Sequence, residues 1–450
     1  QFARLETRRR QMPGDGLIAS ITCSSAPLEH ELDKIRAQIA LQAHLDSQNP
    51  SQAPLDWDAI EREVLDDEEV LVLYYSLGQG ADHVWLLGAD LFESKRLEGS
   101  DDVGALVDRF HRELDPHDRP AKSFPADALG SLSRILLDPV REHLDSKSVV
   151  VVVADGALSR IPFSLLPDPS TLSEASPRSL MKSHAVISVP SLSTWRVLRR
   201  RSTRKRPRDK RIAVVGDPVY NRSDDRLSSR EGLSAEASGG GGGADRHVLS
   251  QRLHRLPAAG RETQAIVTIA ANSAGSKKGI FEATGLRANR DLFLSGQIDD
   301  YPILHIAGHA DIHPLYPEFS HFVLAAFDGS GKPINPYLRV YEIARLRLSA
   351  DLVVLSACRS GAGLTYRGEG VVGLTQGFFA AGARQAVVSL WDVDDEATKD
   401  LMTYFYRNLF EKGESAVQAL RHAQLEMARH PQWGHDAFFF AGFMVQGDWK

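Results

Sequence analysis

Short, unbroken apolar runs alternate with amphipathic stretches along most of the chain, a pattern that predicts buried strands flanked by helices. In the first half, Val70-Leu71-Val72-Leu73-Tyr74-Tyr75 and His83-Val84-Trp85-Leu86-Leu87 read as strands joined by a turn at Leu77-Gly78-Gln79-Gly80. A helix is expected over residues 129–144, where Leu132, Ile135, Leu136, Val140 and Leu144 share a face. The run Val149-Val150-Val151-Val152-Val153 follows and stops at the turn signal Asp155-Gly156. A further strand is expected at Ala185-Val186-Ile187-Ser188-Val189. In the second half, strands are predicted at residues 212–218, 303–306, 321–324, 352–355 and 385–390. Helices are predicted at 256–269, 370–381, 396–410 and 415–430. Strand, helix, strand with a continuous apolar core is the signature of an α/β fold, and the halves repeat it, which hints at a duplicated architecture.

Three segments break the pattern. Residues 1 to about 60 carry Leu28, Leu32, Ile35 and Ile39 on one helical face, interrupted before a second short helix near Trp57. Residues 199–211 hold nine Lys or Arg in thirteen positions, and Gly239 to Gly243 are five consecutive glycines. The basic run reads as a solvated connection; no aromatic residue interleaves with it, so base stacking is not supported. The expected organisation is therefore a helical segment at 1–65, an α/β unit at 66–198, a basic and Gly-rich linker region at 199–255 that contains a strand at 211–218, and a second α/β unit at 256–450. The helical segment reads as the end of an upstream helical array, able to dock a partner, and a chain that opens on Gln1 reads as a fragment.

Composition narrows the class. The 450 residues are 42% hydrophobic, enough for two or three cores, and the net charge of −6 argues against general nucleic-acid affinity. With two cysteines, Cys23 and Cys358, a disulfide framework is excluded and a cytoplasmic setting is expected. No run approaches a membrane span.

The candidate chemistry is carried by Leu304-His305-Ile306-Ala307-Gly308-His309-Ala310 and Leu355-Ser356-Ala357-Cys358-Arg359-Ser360-Gly361. His309 and Cys358 each sit just past a predicted buried strand. A Cys and a His at neighbouring strand ends can converge while far apart in sequence, as a thiol nucleophile and its imidazole partner require. Cys358 lies in a loop of small residues, unlike an ordinary core cysteine, whereas Cys23 has no such setting. The separation of 49 residues matches the roughly 50-residue spacing of caspases, and Ala357-Cys358-Arg359 resembles part of their signature. His305, His309 and His313 are four apart, yet on a strand broken by Gly308 and Pro314 they make no helical face, and no further ligand completes a metal set. Gly329-Ser330-Gly331-Lys332 is followed by Pro333 where a phosphate loop needs Ser or Thr. No cofactor is expected.

Taken in order, further motifs resemble the CHAT proteases, caspase-like domains often found with tetratricopeptide repeats and grouped with caspases and separase. They include Val153-Ala154-Asp155-Gly156-Ala157-Leu158-Ser159-Arg160-Ile161-Pro162-Phe163, Val215-Gly216-Asp217-Pro218, Ser389-Leu390-Trp391-Asp392-Val393-Asp394-Asp395 and His430-Pro431-Gln432-Trp433. The resemblance covers about residue 69 to 450. It implies two caspase-like α/β subdomains, an N-terminal pseudo-protease and a C-terminal one in which His309 and Cys358 are the catalytic dyad. Backbone N–H groups at Gly308, Ala310 and Cys358 would hold the oxyanion. The family usually has Gly where this chain has Ala310, which keeps the N–H donor. Asp392, Asp395 and Asp394 resemble the separase segment that takes a basic P1 side chain, and the alternative is that they cap the helix beginning near Glu396. The function implied is endoproteolysis of a protein partner, in a regulated circuit of the defence or cell-death type known in bacterial members. The competing expectation is a signalling scaffold that binds a partner without cleaving it. The basic run at 199–211 would itself be a substrate for an Arg-specific enzyme.

Overall fold

The computed structural model describes residues 57–77, 82–114, 125–202, 210–228, 253–313, 316–358, 360–361, 363–366 and 370–449. The amphipathic stretch at 28–39, Cys23, the turn at 78–80, the middle of the basic run and the glycine run at 239–243 lie outside the described residues.

Five consecutive valines, all buried, form β4 (Val149–Val153), an inner strand of the first half. It pairs in parallel with β1 (Val70–Ser76) and β5 (Ala185–Val189), while β2 (His83–Gly88) and β3 (Leu91–Arg96) add an antiparallel edge. The edge strand β3 is largely exposed and polar, so its sequence lacks the apolar run that marks the others. In the second half, β6 (Ile212–Pro218), β7 (Ile280–Gly285), β8 (Ile303–Ala307), β12 (Leu352–Ser356) and β15 (Gln385–Ser389) are all parallel. The last strand, β16 (Phe443–Gly447), joins the halves: it is parallel to β5 and antiparallel to β15. The result is one eleven-stranded sheet, ordered β3-β2-β1-β4-β5-β16-β15-β12-β8-β6-β7. The parallel strands of the two halves therefore run in opposite directions, and their carboxyl ends open on opposite edges. β6, which the sequence places in the linker region, is an inner strand between β8 and β7.

Both faces of the sheet are covered, as near-continuous apolar strands require. Along β12, Leu352 and Val354 pack into one core with helices α5 (Pro257–Ala274) and α7 (Asp395–Phe410), whereas Val353 and Leu355 face a second core with α6 (Leu374–Ala381). His305 of β8 is buried on the first of these faces, with Nδ1 3.1 Å from the Tyr406 hydroxyl and Nε2 3.0 Å from Glu262. It is a core histidine, as its place in an apolar strand suggested.

The start of the basic run belongs to helix α4 (Leu192–Ser202) and is tied down at each arginine. Arg196 and Arg200 both fork onto Glu63 of α1 (Trp57–Val64), which holds that carboxyl down to about 2. Arg201 Nη1 donates to the Phe379 carbonyl of α6 at 2.6 Å. Arg199 Nε donates to buried Asp448 at 2.7 Å, and Asp448 also accepts from Trp195 Nε1 and from Arg384 Nη2. These contacts bolt the helix after β5 to the far half of the sheet. Asp448→Ala leaves Arg199 and Arg384 without their shared carboxylate, so a loss of about 3–5 kcal/mol is expected in urea unfolding. A loss under about 1 kcal/mol would mean that Asp66, 3.5 Å from Arg199, and Asp351, 3.2 Å from Arg384, suffice as acceptors.

Candidate active site

β8 and β12 pair in register from Ile303 opposite Leu352 to Ala307 opposite Ser356. The next residues leave the sheet at the same level from strands about 4.8 Å apart. Gly308 N–H donates to the Ser356 carbonyl at 3.2 Å, extending the ladder one step. His309 and Cys358 thus each stand two residues beyond a matched pair. Past Gly308 the chain turns into β9 (His309–Asp311), which pairs with β10 (His321–Val323) and through it with β11 (Tyr337–Arg339).

His309 is half-buried against the ring of Tyr220, with centroids 4.9 Å apart, and its N–H donates to the Tyr220 hydroxyl at 3.3 Å. A side chain at Gly308 would place a Cβ 2.8 Å from that hydroxyl, so glycine is required there for space. Nε2 of His309 lies 2.9 Å from the His254 carbonyl. A carbonyl can only accept, so Nε2 carries the proton and Nδ1 is the basic nitrogen. Burial lowers the imidazole pKa below its ordinary value, the His254 carbonyl partly opposes this, and the nearby His254 ring adds to the lowering.

The Cys358 loop is held by two serines. Ser389 Oγ, at the end of β15, donates to the Ala357 carbonyl at 2.6 Å and accepts the Ser360 N–H at 3.3 Å. Ser360 Oγ donates to the Leu355 carbonyl at 2.9 Å and accepts the Ser389 N–H at 3.0 Å. Both serines are fully buried, and between them they fix the backbone on either side of the half-buried Cys358. Ser389→Ala leaves the Ser360 N–H and the Ala357 carbonyl only their long 3.4 Å contact with each other, with an expected cost of about 1–3 kcal/mol in denaturant unfolding and a lower cleavage rate. Unchanged stability and rate together would show that the loop holds its shape without them.

The three aspartates follow β15, on the opposite side of β12 from β8. Asp394 is the N-cap of α7, its Oδ1 accepting the Ala397 N–H at 2.9 Å. Asp395 accepts the Ala258 N–H of α5 at 2.9 Å, and burial raises its pKa against that bond. Asp392 is exposed. Of the backbone donors named from sequence, Gly308 N–H is taken up by Ser356, while Ala310 lies in β9 opposite Phe322. The three spaced histidines have separate surroundings: His305 meets Glu262 and Tyr406, His309 meets Tyr220 and His254, and His313 Nδ1 accepts the Tyr316 N–H. Sequence reasoning missed Tyr220, the His254 carbonyl and Ser389. A polar Ser389 closing the apolar run Ala386-Val387-Val388 was an available signal; a backbone carbonyl gives none.

Comparison with known proteins fits this architecture. The CHAT domain family model matches residues 126–448. Human tetratricopeptide repeat protein 28 is 28% identical over 351 residues, which is 73% of this chain and 13% of that protein. The mouse protein of the same name is 34% identical over 110 residues, 24% of this chain and 4% of its own length. The chain thus spans a small part of the curated relatives it matches, and both are mammalian. Among solved structures, separase of Saccharomyces cerevisiae in its complex with securin superposes with a TM-score of 0.53 at 9% identity, covering 87% of this chain and 30% of that one. At that identity the likeness speaks for the fold, a caspase-like α/β fold, and among the described residues no helix is long and apolar enough to cross a membrane. With its fold and 323 matched residues agreeing, the chain belongs to the CHAT domain family.

Proposed function

We propose that this chain is a cysteine endopeptidase that cleaves a protein partner after a basic residue, under the control of a regulated pathway. The observation that carries the reading is the register of β8 and β12, which sends His309 and Cys358 out of adjacent strand ends at one level. Nδ1 of His309 accepts the thiol proton as Sγ of Cys358 attacks the scissile carbonyl. The N–H of Cys358 is the donor assigned to the oxyanion; that of Gly308 belongs to the sheet, and Ala310 lies in β9 opposite Phe322. The imidazolium returns its proton to the leaving amine. A water, deprotonated by the same nitrogen, then hydrolyses the thioester and releases the acid. His254 supplies the third contact through its main chain, and no side-chain carboxylate is assigned to that task. Helix α1, which precedes β1 and is joined to α4 through Glu63, marks the proposed docking end for an activating partner.

The chemistry moves a proton between sulfur and imidazole and uses no metal. Cleavage of an Arg-P1 peptide is expected to survive EDTA and to stop after iodoacetamide treatment. Loss of turnover in EDTA with recovery on added zinc would overturn the thiol mechanism.

A further inference from the structure

The described residues contain one non-glycine residue with positive φ, Asp217 at +48°. Asp tolerates this left-handed backbone better than most side chains, but it is still a costly conformation to hold in a buried position. Its place explains what the conformation is for. β6 pairs with β8 from Ile212 opposite Ile303 to Gly216 opposite Ala307, so Asp217 stands level with Gly308, one strand across from His309. The buried carboxylate receives Arg255 as a fork, Nε to Oδ1 at 2.8 Å and Nη2 to Oδ2 at 2.6 Å. Arg226 closes the other side, with Nη1 donating to Oδ2 at 2.8 Å and to the Asp217 carbonyl at 2.9 Å. Gly260, one turn into α5, leaves room for this group: a Cβ there would lie 2.9 Å from Oδ2.

Arg255 adjoins His254, whose carbonyl meets Nε2 of His309. Three residues on, Ala258 is fixed by Asp395. The segment is pinned at Arg255 and at Ala258 on one side of His254, and on the other the Leu253 carbonyl accepts from Asn221 Nδ2 at 2.8 Å. We propose that Asp217 and Arg255 are positioning residues that hold the His254 carbonyl on His309, fixing the imidazole with Nδ1 as its basic nitrogen. The proposal rests on the Cys358–His309 reading. It predicts a kinetic effect out of proportion to any effect on stability, because a shift of about 1 Å in a catalytic group can cost about 100-fold in rate.

The test uses the whole chain and an Arg-P1 fluorogenic peptide, with kcat, KM and thermal melts measured for the wild type, Cys358→Ala, Arg255→Ala, Arg255→Lys and Asp217→Asn. The expected result is an inactive Cys358→Ala, a roughly 10- to 100-fold lower kcat for Arg255→Ala at nearly unchanged KM and melting temperature, and a smaller loss for Arg255→Lys, which keeps the charge but not the fork. Should Arg255→Ala fail to fold, Arg255→Lys and Asp217→Asn carry the comparison. A kcat within twofold of wild type in the folded clamp variants, beside an inactive Cys358→Ala, overturns the clamp and leaves the dyad standing. Equal rates for wild type and Cys358→Ala, including equal inactivity, overturn the dyad and the clamp with it.

Discussion

Cys358→Ala is expected to abolish peptide cleavage, and His309→Ala to lower kcat on the order of 10⁴-fold or more, because nucleophile and base act as a unit. Stability should hardly follow. Cys358 is half-buried in a loop fixed by Ser360 and Ser389, contacts that Ala leaves in place. His309 gives up its packing on Tyr220, which is worth about 1 kcal/mol. The check is cleavage measured beside a thermal melt, and near-normal turnover by Cys358→Ala would refute the assignment. The pH profile carries the sign of the His309 shift. The base must be neutral to take the thiol proton, and burial keeps it neutral to lower pH than an exposed imidazole. The acid limb of kcat/KM should therefore fall below the ordinary imidazole range. A limb displaced upward would mean that His309 works beside a carboxylate not assigned here.

P1 preference is the second large effect. The segment after β15 leaves the sheet next to the Cys358 strand, and it carries Asp392, Asp394 and Asp395. Their geometry separates them. Asp394 caps α7 and Asp395 holds the Ala258 N–H, whereas Asp392 is exposed. Asp392→Ala is expected to lower kcat/KM for Arg-P1 substrates about 100-fold or more with little change in melting temperature, since a site built to pair a guanidinium discriminates through that pairing. Asp394→Ala should do the reverse, costing about 1 kcal/mol of stability and leaving P1 preference alone. A P1-scanning peptide library on wild type and variants reads both. Preference for an acidic or a large apolar P1 residue, or an Arg preference untouched by Asp392→Ala, would remove these aspartates from the pocket.

What the sequence made legible follows from burial. Strands such as β4, β8 and β12 are covered on both faces, so their residues are almost all apolar and the runs stand out. Edge strand β3 has no such constraint and was not anticipated. The helix expected to begin at residue 370 starts instead at Leu374. Gly370–Gly373 form β14, paired with β13 (Gly363–Tyr366), and two glycines bounding two valines suit a short hairpin arm better than a first helical turn. The start of the basic run looked solvated because charge alone was visible, while the partners of Arg200 and Arg199, Glu63 and Asp448, lie far away in sequence. At the candidate site, residue types with chemistry of their own, His309 and Cys358, were recognisable. The groups that orient them were not: the His254 carbonyl has no residue-type signature, and Tyr220 and Ser389 act only through the contacts the fold creates.

The central claim is that Cys358 Sγ is the nucleophile and His309 its base. Its most direct test is tandem mass spectrometry of the chain after reaction with a peptidyl-Arg chloromethyl ketone. The account predicts a single adduct on Cys358, formed far more slowly in His309→Ala. An adduct at another residue, or an unlabelled Cys358 in protein that still cleaves peptide, would contradict it.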